Sequence, residues 1–383
     1  MNPSSKLRKI KKRRIVVISA SKVQGGIQSL YIVNNGNWEI ISHSFIPYPP
    51  KVVALLQKSD QSGEIRLSEF SWLDYKLSTL FVEATRAVLM QVPTAQRTPH
   101  YIVLNKATLY QGPTGETAQQ SIWDIPLGDA QFLASTFNTL VLTDLVRHNE
   151  IAGGKGLLPT SRGDEIIASR CQGIALFLNI GALSRMTIID PATSSTIIDS
   201  DTGPGTLLLD KLIIDSTGTD QFDRDGSFAS DGNIDGNCLN KLASNDWFQQ
   251  AAPKTADPQF LYSLLEVNEF KHLSAKDKAA TLTALSARTA YDFYKREYRS
   301  NALPHTIYVS GGGVNNLTLM EYLSTYFSPV PVQSIETIGV PSELRVPLSL
   351  GLTVDSFVTA TSAIPWETGN FPRIEPLGRW VLP

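Results

Sequence analysis

Cysteine is scarce: the 383 residues contain only Cys171 and Cys238. Two thiols exclude a disulfide framework, make a reducing compartment the default, and read as small buried apolar side chains. Long hydrophobic runs are missing as well. No stretch approaches the ~20 apolar residues of a membrane span, and Ile15–Ile18 is too short for a secretory signal, so no membrane association is expected. Charged residues make up 18% of the chain against 42% hydrophobic, the balance of a soluble globular protein with ample core for two or three domains. Two familiar nucleotide loops are also lacking: there is no G-x-x-x-x-G-K-[ST], and no G-x-G-x-x-G follows a strand.

What charge there is lies unevenly. Lys6, Arg8, Lys9, Lys11, Lys12, Arg13 and Arg14 precede the first apolar run. With a formal net charge of −2 overall, the rest of the chain carries −9 once these seven positives are set apart. An acidic body is not expected to bind nucleic acid. The basic stretch reads as a disordered solvated tail, with a nuclear signal or a surface tether as the other readings, and the location expected is the cytoplasm or, through that stretch, the nucleus.

Patterning divides the remainder into two similar halves. Arg14–Ser19 and Gln28–Val33 flank a glycine turn, and Glu39–Phe45 completes an antiparallel set. Leu67–Leu89 repeats apolar residues at helical spacing. Short β runs follow at Tyr101–Leu104 and Thr139–Leu142, with a helix between them at Asp129–Thr136. The second half again opens on strands, Ile174–Ile180, Met186–Ile189 and Thr196–Ile198. Helices are expected over Thr206–Leu212, Asn233–Leu242, Lys276–Tyr298, Leu317–Tyr326 and Leu348–Thr359, with a strand at Thr306–Val309. This order implies two α/β lobes with a cleft between them. The expected division is a disordered tail over 1–14, a first lobe over 15–168 with 352–383 packing back on it, and a second lobe over 169–351.

Three strand ends carry small residues suited to approach by a polyanion. They are Ser19-Ala20-Ser21-Lys22-Val23-Gln24-Gly25, Asp201-Thr202-Gly203-Pro204-Gly205 and Gly311-Gly312-Gly313. In this reading the glycines admit phosphate oxygens to backbone N–H groups, Thr202 donates, Lys22 supplies a point charge, and Asp201 holds Mg²⁺ or its water. A tight turn built for folding alone uses the same residues, and Lys22 reads equally well as a solvent-facing lysine. Asp225-Gly226 reads as a turn or helix cap. Two strand turns pinching phosphates beside a glycine loop resemble the actin/hexokinase/Hsp70-like bilobal ATPase fold, with two ribonuclease-H-like lobes and ATP in the interlobe cleft.

A more specific resemblance runs along nearly the whole chain. The opening M-S-G-T-S-x-D-G of the anhydro-N-acetylmuramic acid kinase family, which also contains levoglucosan kinase, is similar to Ile18–Gly25. Its D-F-R-x-R-D-x-A-x-G-G-Q-G resembles Asp144–Gly156, and its L-N-I-G-G resembles Leu178–Ala182. Its F-D-T-G-P-G-N resembles Ser200–Thr206, with Asp210 following. Its D-x-D-G-x-x-A, T-L-T-A-L-T-A and C-G-G-G-x-x-N-x-x-L resemble Asp223–Ala229, Thr281–Ala287 and Ser310–Leu319. The closing G-x-x-G-N-x-P and L-G are echoed at Thr368–Pro372 and Leu377-Gly378. The resemblance implies Mg-ATP binding, phosphorylation of a 1,6-anhydro sugar at O6, ring opening by a water that a carboxylate base activates, and a homodimer.

The departures fall where that chemistry is done. The family base, the second Asp of D-F-R-x-R-D, is Asn149, and an amide has no useful basicity. The two arginines of that motif are Val146 and His148. His148 is a substitute base by residue type or simply a surface histidine; Glu150 is carboxylic but is expected to point elsewhere. The first-loop Asp is Gln24, the S-H-G-Q-T element has become Asn105-Lys106-Ala107-Thr108-Leu109, and P-K-S-T-G-x-E-x-F is reduced to Pro253-Lys254-Thr255 and Phe260. Two readings stay open: a divergent kinase acting on an anhydro sugar or another hydroxylated small molecule, and a catalytically impaired pseudokinase serving as a nucleotide-binding or interaction scaffold.

Overall fold

The computed structural model describes residues 4–22, 25–111, 124–151, 158–193, 195–219, 221–300, 302–360 and 378–383. The chain forms two compact units, Met1–Gly163 with Val346–Pro383, and Asp164–Arg345. The strands of the first, in chain order, are β1 (Arg13–Ser21), β2 (Gly26–Asn34), β3 (Trp38–Pro47), β4 (Tyr101–Asn105), β5 (Ala107–Gln111), β6 (Asp124–Leu127) and β7 (Leu140–Thr143). The second contains β8 (Ala175–Ile180), β9 (Leu183–Asp190), β10 (Ser195–Pro204), β11 (Thr306–Ser310) and β12 (Val332–Ser334). The last strand, β13 (Arg379–Val381), returns to the first unit.

The two sheets repeat one plan. In the first unit the order is β3-β2-β1-β4-β7-β13, and in the second it is β10-β9-β8-β11-β12. In each, three strands form an antiparallel meander, and the first of them also pairs in parallel with a later strand, which pairs in parallel with another. A meander followed by two parallel strands, made twice, is the ribonuclease-H-like arrangement of the actin/hexokinase/Hsp70-like ATPase fold. The expected fold class holds.

Burial follows position in the sheet. β1 lies between β2 and β4 and is buried from Ile15 to Ala20, as a central strand covered on both faces must be. Edge strand β3 alternates, burying Trp38 and Ser42 while Ile41 and Phe45 face outward. Over the meander lies the helix Leu67–Met90, which buries Leu73, Leu77, Leu80, Phe81, Ala84 and Val88 at three- and four-residue spacing. In the second unit the helix Ala275–Glu297 has the same central role. Ser274 caps it, its side chain accepting from the Asp277 N–H.

Asp355, on the helix Arg345–Thr359, ties that C-terminal segment to the first sheet. Its carboxylate accepts from Arg13, from Asn34 Nδ2 at 2.7 Å and from the Tyr101 hydroxyl at 2.8 Å. For residues 4–14 this corrects the expectation of a disordered tail. Residues Ser4–Leu7 form a helical turn, Leu7 is buried, Arg8 donates to the Val358 carbonyl, and Arg13 opens β1. Apolar Leu7 and the buried carboxylate draw the basic stretch onto the body. The helix Pro50–Ser62, the β5–β6 hairpin and the helix Leu145–Ile151 were not anticipated. Among the described residues no helix is long and apolar enough to cross a membrane.

Candidate nucleotide site

In the second unit, two of the expected glycine segments converge on one turn. Strands β8 and β9 are joined by Gly181-Ala182. The end of β10 lies against the start of β9, with Asp201 opposite Arg185 and Pro204 opposite Leu183. The Gly205 and Thr206 N–H groups donate to the Ala182 and Gly181 carbonyls, each at 2.8 Å. A Cβ on Gly205 would stand 2.0 Å from the Gly181 carbonyl oxygen, so only glycine allows this approach. On the other side β11 runs parallel to β8, with Ser310 opposite Asn179. Gly311 then turns at φ +83°, where a Cβ would stand 2.4 Å from the Ile180 carbonyl oxygen. A Cβ on Gly312 would meet open space.

Asp201–Gly205 is therefore the end of a strand entering the helix Leu207–Thr217. The turn it supports, Gly181-Ala182, was not singled out from sequence, although its glycine stands in the Leu178–Ala182 motif. Thr202 is buried, and its hydroxyl donates to the Ser184 carbonyl. Asp201 is 5% exposed; its Oδ2 accepts from the Ala256 N–H at 2.9 Å, and its Oδ1 lies 3.7 Å from the Arg185 guanidinium. Burial pushes its carboxyl up, with Arg185 pulling against it. Asp201, expected to hold Mg²⁺ or its water, does not stand unengaged: each oxygen has an internal partner and keeps a further lone pair. Nor do the described residues contain a group of three or more His, Cys, Asp or Glu able to hold a metal ion.

Two groups around this site were not recognised as chemically unusual. Lys254 is buried, donates to the Trp247 and Phe248 carbonyls at 2.9 and 3.0 Å, and sits 4.0 Å over the Trp247 ring. Burial lowers its ammonium to about 8. Asp210 stands one turn into the helix after Gly205 and accepts from the Thr206 hydroxyl at 2.7 Å. Burial pushes its carboxyl up to about 6, with Asp223 adding to the rise. Asp223 caps the next helical turn through the Phe228 and Ala229 N–H groups, and Asp225 occupies a turn at φ +57°. Cys238 is buried and Cys171 half-buried, both free thiols pushed up to about 11 by burial.

In the first unit the corresponding residues end β1. Ser19 is buried and accepts from Asn105 Nδ2 at 3.2 Å. Ser21 pairs with Gly26, and Gly25 takes φ +64° in the turn between them. Lys22 Nζ donates to the Leu109 carbonyl at 2.7 Å, which contradicts a solvent-facing lysine. Gln24 and residues 152–157 lie outside the described residues. His148 and Asn149 are on the helix Leu145–Ile151, where the His148 N–H donates to the Asp144 carbonyl; the side chains of Asn149 and Glu150 are outside the described set. Asp144, before that helix, has φ +59°. Its carboxylate pairs with Lys106 at 3.1 Å and Arg379 at 2.8 Å. Burial would raise its carboxyl, but the two cations hold it below the usual carboxylate value.

Comparison with known proteins gives a consistent result. The family model described as anhydro-N-acetylmuramic acid kinase matches residues 12–370. Anhydro-N-acetylmuramic acid kinase of Aliivibrio fischeri is 26% identical over 322 residues, covering 83% of this chain and 85% of that one. The Caulobacter vibrioides protein of the same name is 31% identical over 290 residues, covering 75% and 68%. Among solved structures, the activator of the 2-hydroxyisocaproyl-CoA dehydratase from Clostridium difficile with bound ADPNP superposes with a TM-score of 0.43 at 10% identity, covering 91% of this chain and 95% of that chain. With the family model matching residues 12–370, the chain belongs to the anhydro-N-acetylmuramic acid kinase family.

Proposed function

We propose that this chain is an ATP-dependent phosphotransferase of the family's kind, acting on a 1,6-anhydro sugar or another hydroxylated small molecule. Its phosphate-binding floor is the Gly181-Ala182 turn, with Gly205 and Gly311–Gly313 on either side. The carrying observation is that a Cβ on Gly205 or Gly311 would collide with the Gly181 or Ile180 carbonyl oxygen at this turn, while one on Gly312 would meet open space. The Gly181, Gly205 and Gly311 N–H groups donate to the Leu183, Ala182 and Ser342 carbonyls, so the approach of a phosphate oxygen is assigned to the open side at Gly312. In the transfer, the acceptor oxygen bonds to the γ-phosphorus, the bond to the ADP oxygen breaks, and the acceptor proton passes to a base or solvent.

Asn149 sets the limit on this activity. Opening an anhydro ring requires water to be deprotonated as it attacks the anomeric carbon, and an amide cannot take that proton. Transfer to a free hydroxyl demands less of a base. The second reading, a pseudokinase scaffold, is supported by Asn149 and Gln24 together with the internal use of Asp201 and Lys22. Calorimetric titration with ATP, followed by assays on 1,6-anhydro-N-acetylmuramic acid, levoglucosan and free sugars, separates the two. ATP binding with turnover supports the kinase, and Asn149→Asp is expected to raise ring-opening turnover at least tenfold. No binding at millimolar ATP rules out both nucleotide readings. ATP binding without turnover in either protein leaves the scaffold.

A further inference from the structure

We propose that the basic stretch before β1 is a docking surface for an anionic phospholipid bilayer, independent of the nucleotide site. Lys6, Arg8, Lys9, Lys11 and Lys12 are exposed. The segment that carries them is fixed at three points: Leu7 is buried, Arg8 donates to the Val358 carbonyl, and Arg13 pairs with Asp355. These anchors use one apolar residue and two arginines. The four lysines have no ion-pair partner among the described residues, so their ammonium groups are left for an outside anion.

The surroundings add to this charge more than they cancel it. Arg13 lies opposite Asn34 and Ile15 opposite Tyr101, so the stretch meets the sheet where β2 ends and β3 and β4 begin. The β2–β3 turn Asn35-Gly36-Asn37 and the segment Val92–His100 leading into β4 contain no Asp or Glu, and the segment contributes Arg97. Glu39, exposed near the start of β3, opposes them. Burial lowers the His100 imidazole, and Arg14 and Arg13 lower it further. Lys6, Lys9 and Lys11 precede residues 12–370 matched by the family model, so most of the patch lies outside the part shared with the family. Strand β1 then runs for 9 residues, about 26 Å, before Lys22. A partner at one end leaves the other clear.

The side chains select the partner. Residues 4–14 contain no aromatic ring on which a base could stack. The arginines, whose forks read guanine edges, are engaged with Val358, Asp355 and Thr98. Lysine ammonium groups remain, point charges that recognise dense phosphate charge without reading sequence. Clusters of this size are drawn to anionic leaflets. Screening limits that attraction to about 8 Å at physiological salt, so the −9 on the rest of the chain opposes it only where it comes near the leaflet. A long polynucleotide would extend past the patch into that acidic remainder. Leu7 faces the body and nothing apolar is offered for insertion, so the contact is peripheral and reversed by salt. The lack of a spanning helix bears on insertion and leaves this tether reading open.

The test is co-sedimentation of the full chain with phosphatidylcholine vesicles, with and without about one-third phosphatidylserine. The parent is expected to bind the anionic vesicles alone, and at least tenfold more weakly when salt rises from about 0.1 M to about 0.5 M. Changing Lys6, Lys9, Lys11 and Lys12 together to Gln should weaken binding tenfold or more with the melting temperature unchanged. A control replaces the exposed Lys211, Lys241, Lys271 and Lys295 with Gln, giving the same net charge, and should bind as the parent does. If the first variant melts early, Lys11→Gln with Lys12→Gln, in the bend before β1, is measured instead and should weaken binding at least threefold. A parent that ignores anionic vesicles, or binds both kinds equally, overturns the proposal. Equal losses in the two four-lysine variants overturn it as well. Tighter binding of a DNA duplex than of anionic vesicles at the same salt assigns the patch to nucleic acid instead.

Discussion

At the scale of single residues, the site separates groups committed to the fold from groups still able to titrate. Asp201 and Thr202 face inward to Arg185, Ala256 and Ser184. Asp210, one turn further on, has the Thr206 hydroxyl as its one partner among the described residues. Its carboxyl rises from 3.8 to about 6 on folding. A raised folded value means that the protonated form is favoured in the native state. That contribution is fully present below the unfolded value of about 4 and is lost as pH rises through about 6. Asp210→Asn retains an oxygen that can accept from Thr206 and removes the charge. Its melting temperature should match the parent near pH 4 and exceed it near pH 8, with the gap opening between; a constant gap across that range contradicts the assignment. The inward commitment of Asp201 was invisible in sequence because Arg185 and Ala256 belong to none of the quoted motifs and meet it only through the β9–β10 register and the chain beyond Ala252.

At the scale of elements, glycines that look alike in sequence divide by function. Gly205 exists to let a strand end pass the Gly181 carbonyl, so Gly205→Ala should lower stability by about 1–3 kcal/mol through overpacking, read as a fall in melting temperature. Gly312 has open space where its Cβ would be. Gly312→Ala should leave the melting temperature unchanged and weaken ATP tenfold or more, because the added methyl occupies the approach to the floor. An unchanged ATP affinity would place the phosphates elsewhere. Strands and long helices were legible because their periodicity is strong: the helix Leu67–Met90 and the strands β1, β2 and β8 agree with expectation within two residues at each end. The Gly181-Ala182 turn was less legible, since one glycine between two apolar runs carries little signal. The helix Leu145–Ile151 hid because it is short and its motif reads first as chemistry. The Lys106–Asp144 pair escaped for a different reason: 38 residues separate the partners, and only parallel strand pairing brings them together.

At the scale of the whole molecule, duplication was legible in the repeated strand order and a return of 352–383 to the first lobe was expected, while the residues that make the tie were not. Asp355 was an ordinary acidic residue in sequence; in the fold it receives Arg13, Asn34 and Tyr101 in a largely buried cluster. Removing one partner of a buried ion pair costs about 3–5 kcal/mol because the other charge is stranded. Asp355→Ala should therefore melt the first unit at a markedly lower temperature while the Asp164–Arg345 unit, with its own core, melts as before. Differential scanning calorimetry resolves this as one shifted and one fixed transition; two transitions falling equally would show that the units unfold as one.

The same cluster sets an order of birth. Arg13 and Asp355 are 342 residues apart, and the whole Asp164–Arg345 unit is translated between them. On a ribosome, where the amino-terminal domain ordinarily completes first, this chain must finish its second unit while the first still waits for its carboxylate. The first unit is thus the later of the two to mature, with Arg13 and Tyr101 waiting for a helix that is made only after the whole second unit.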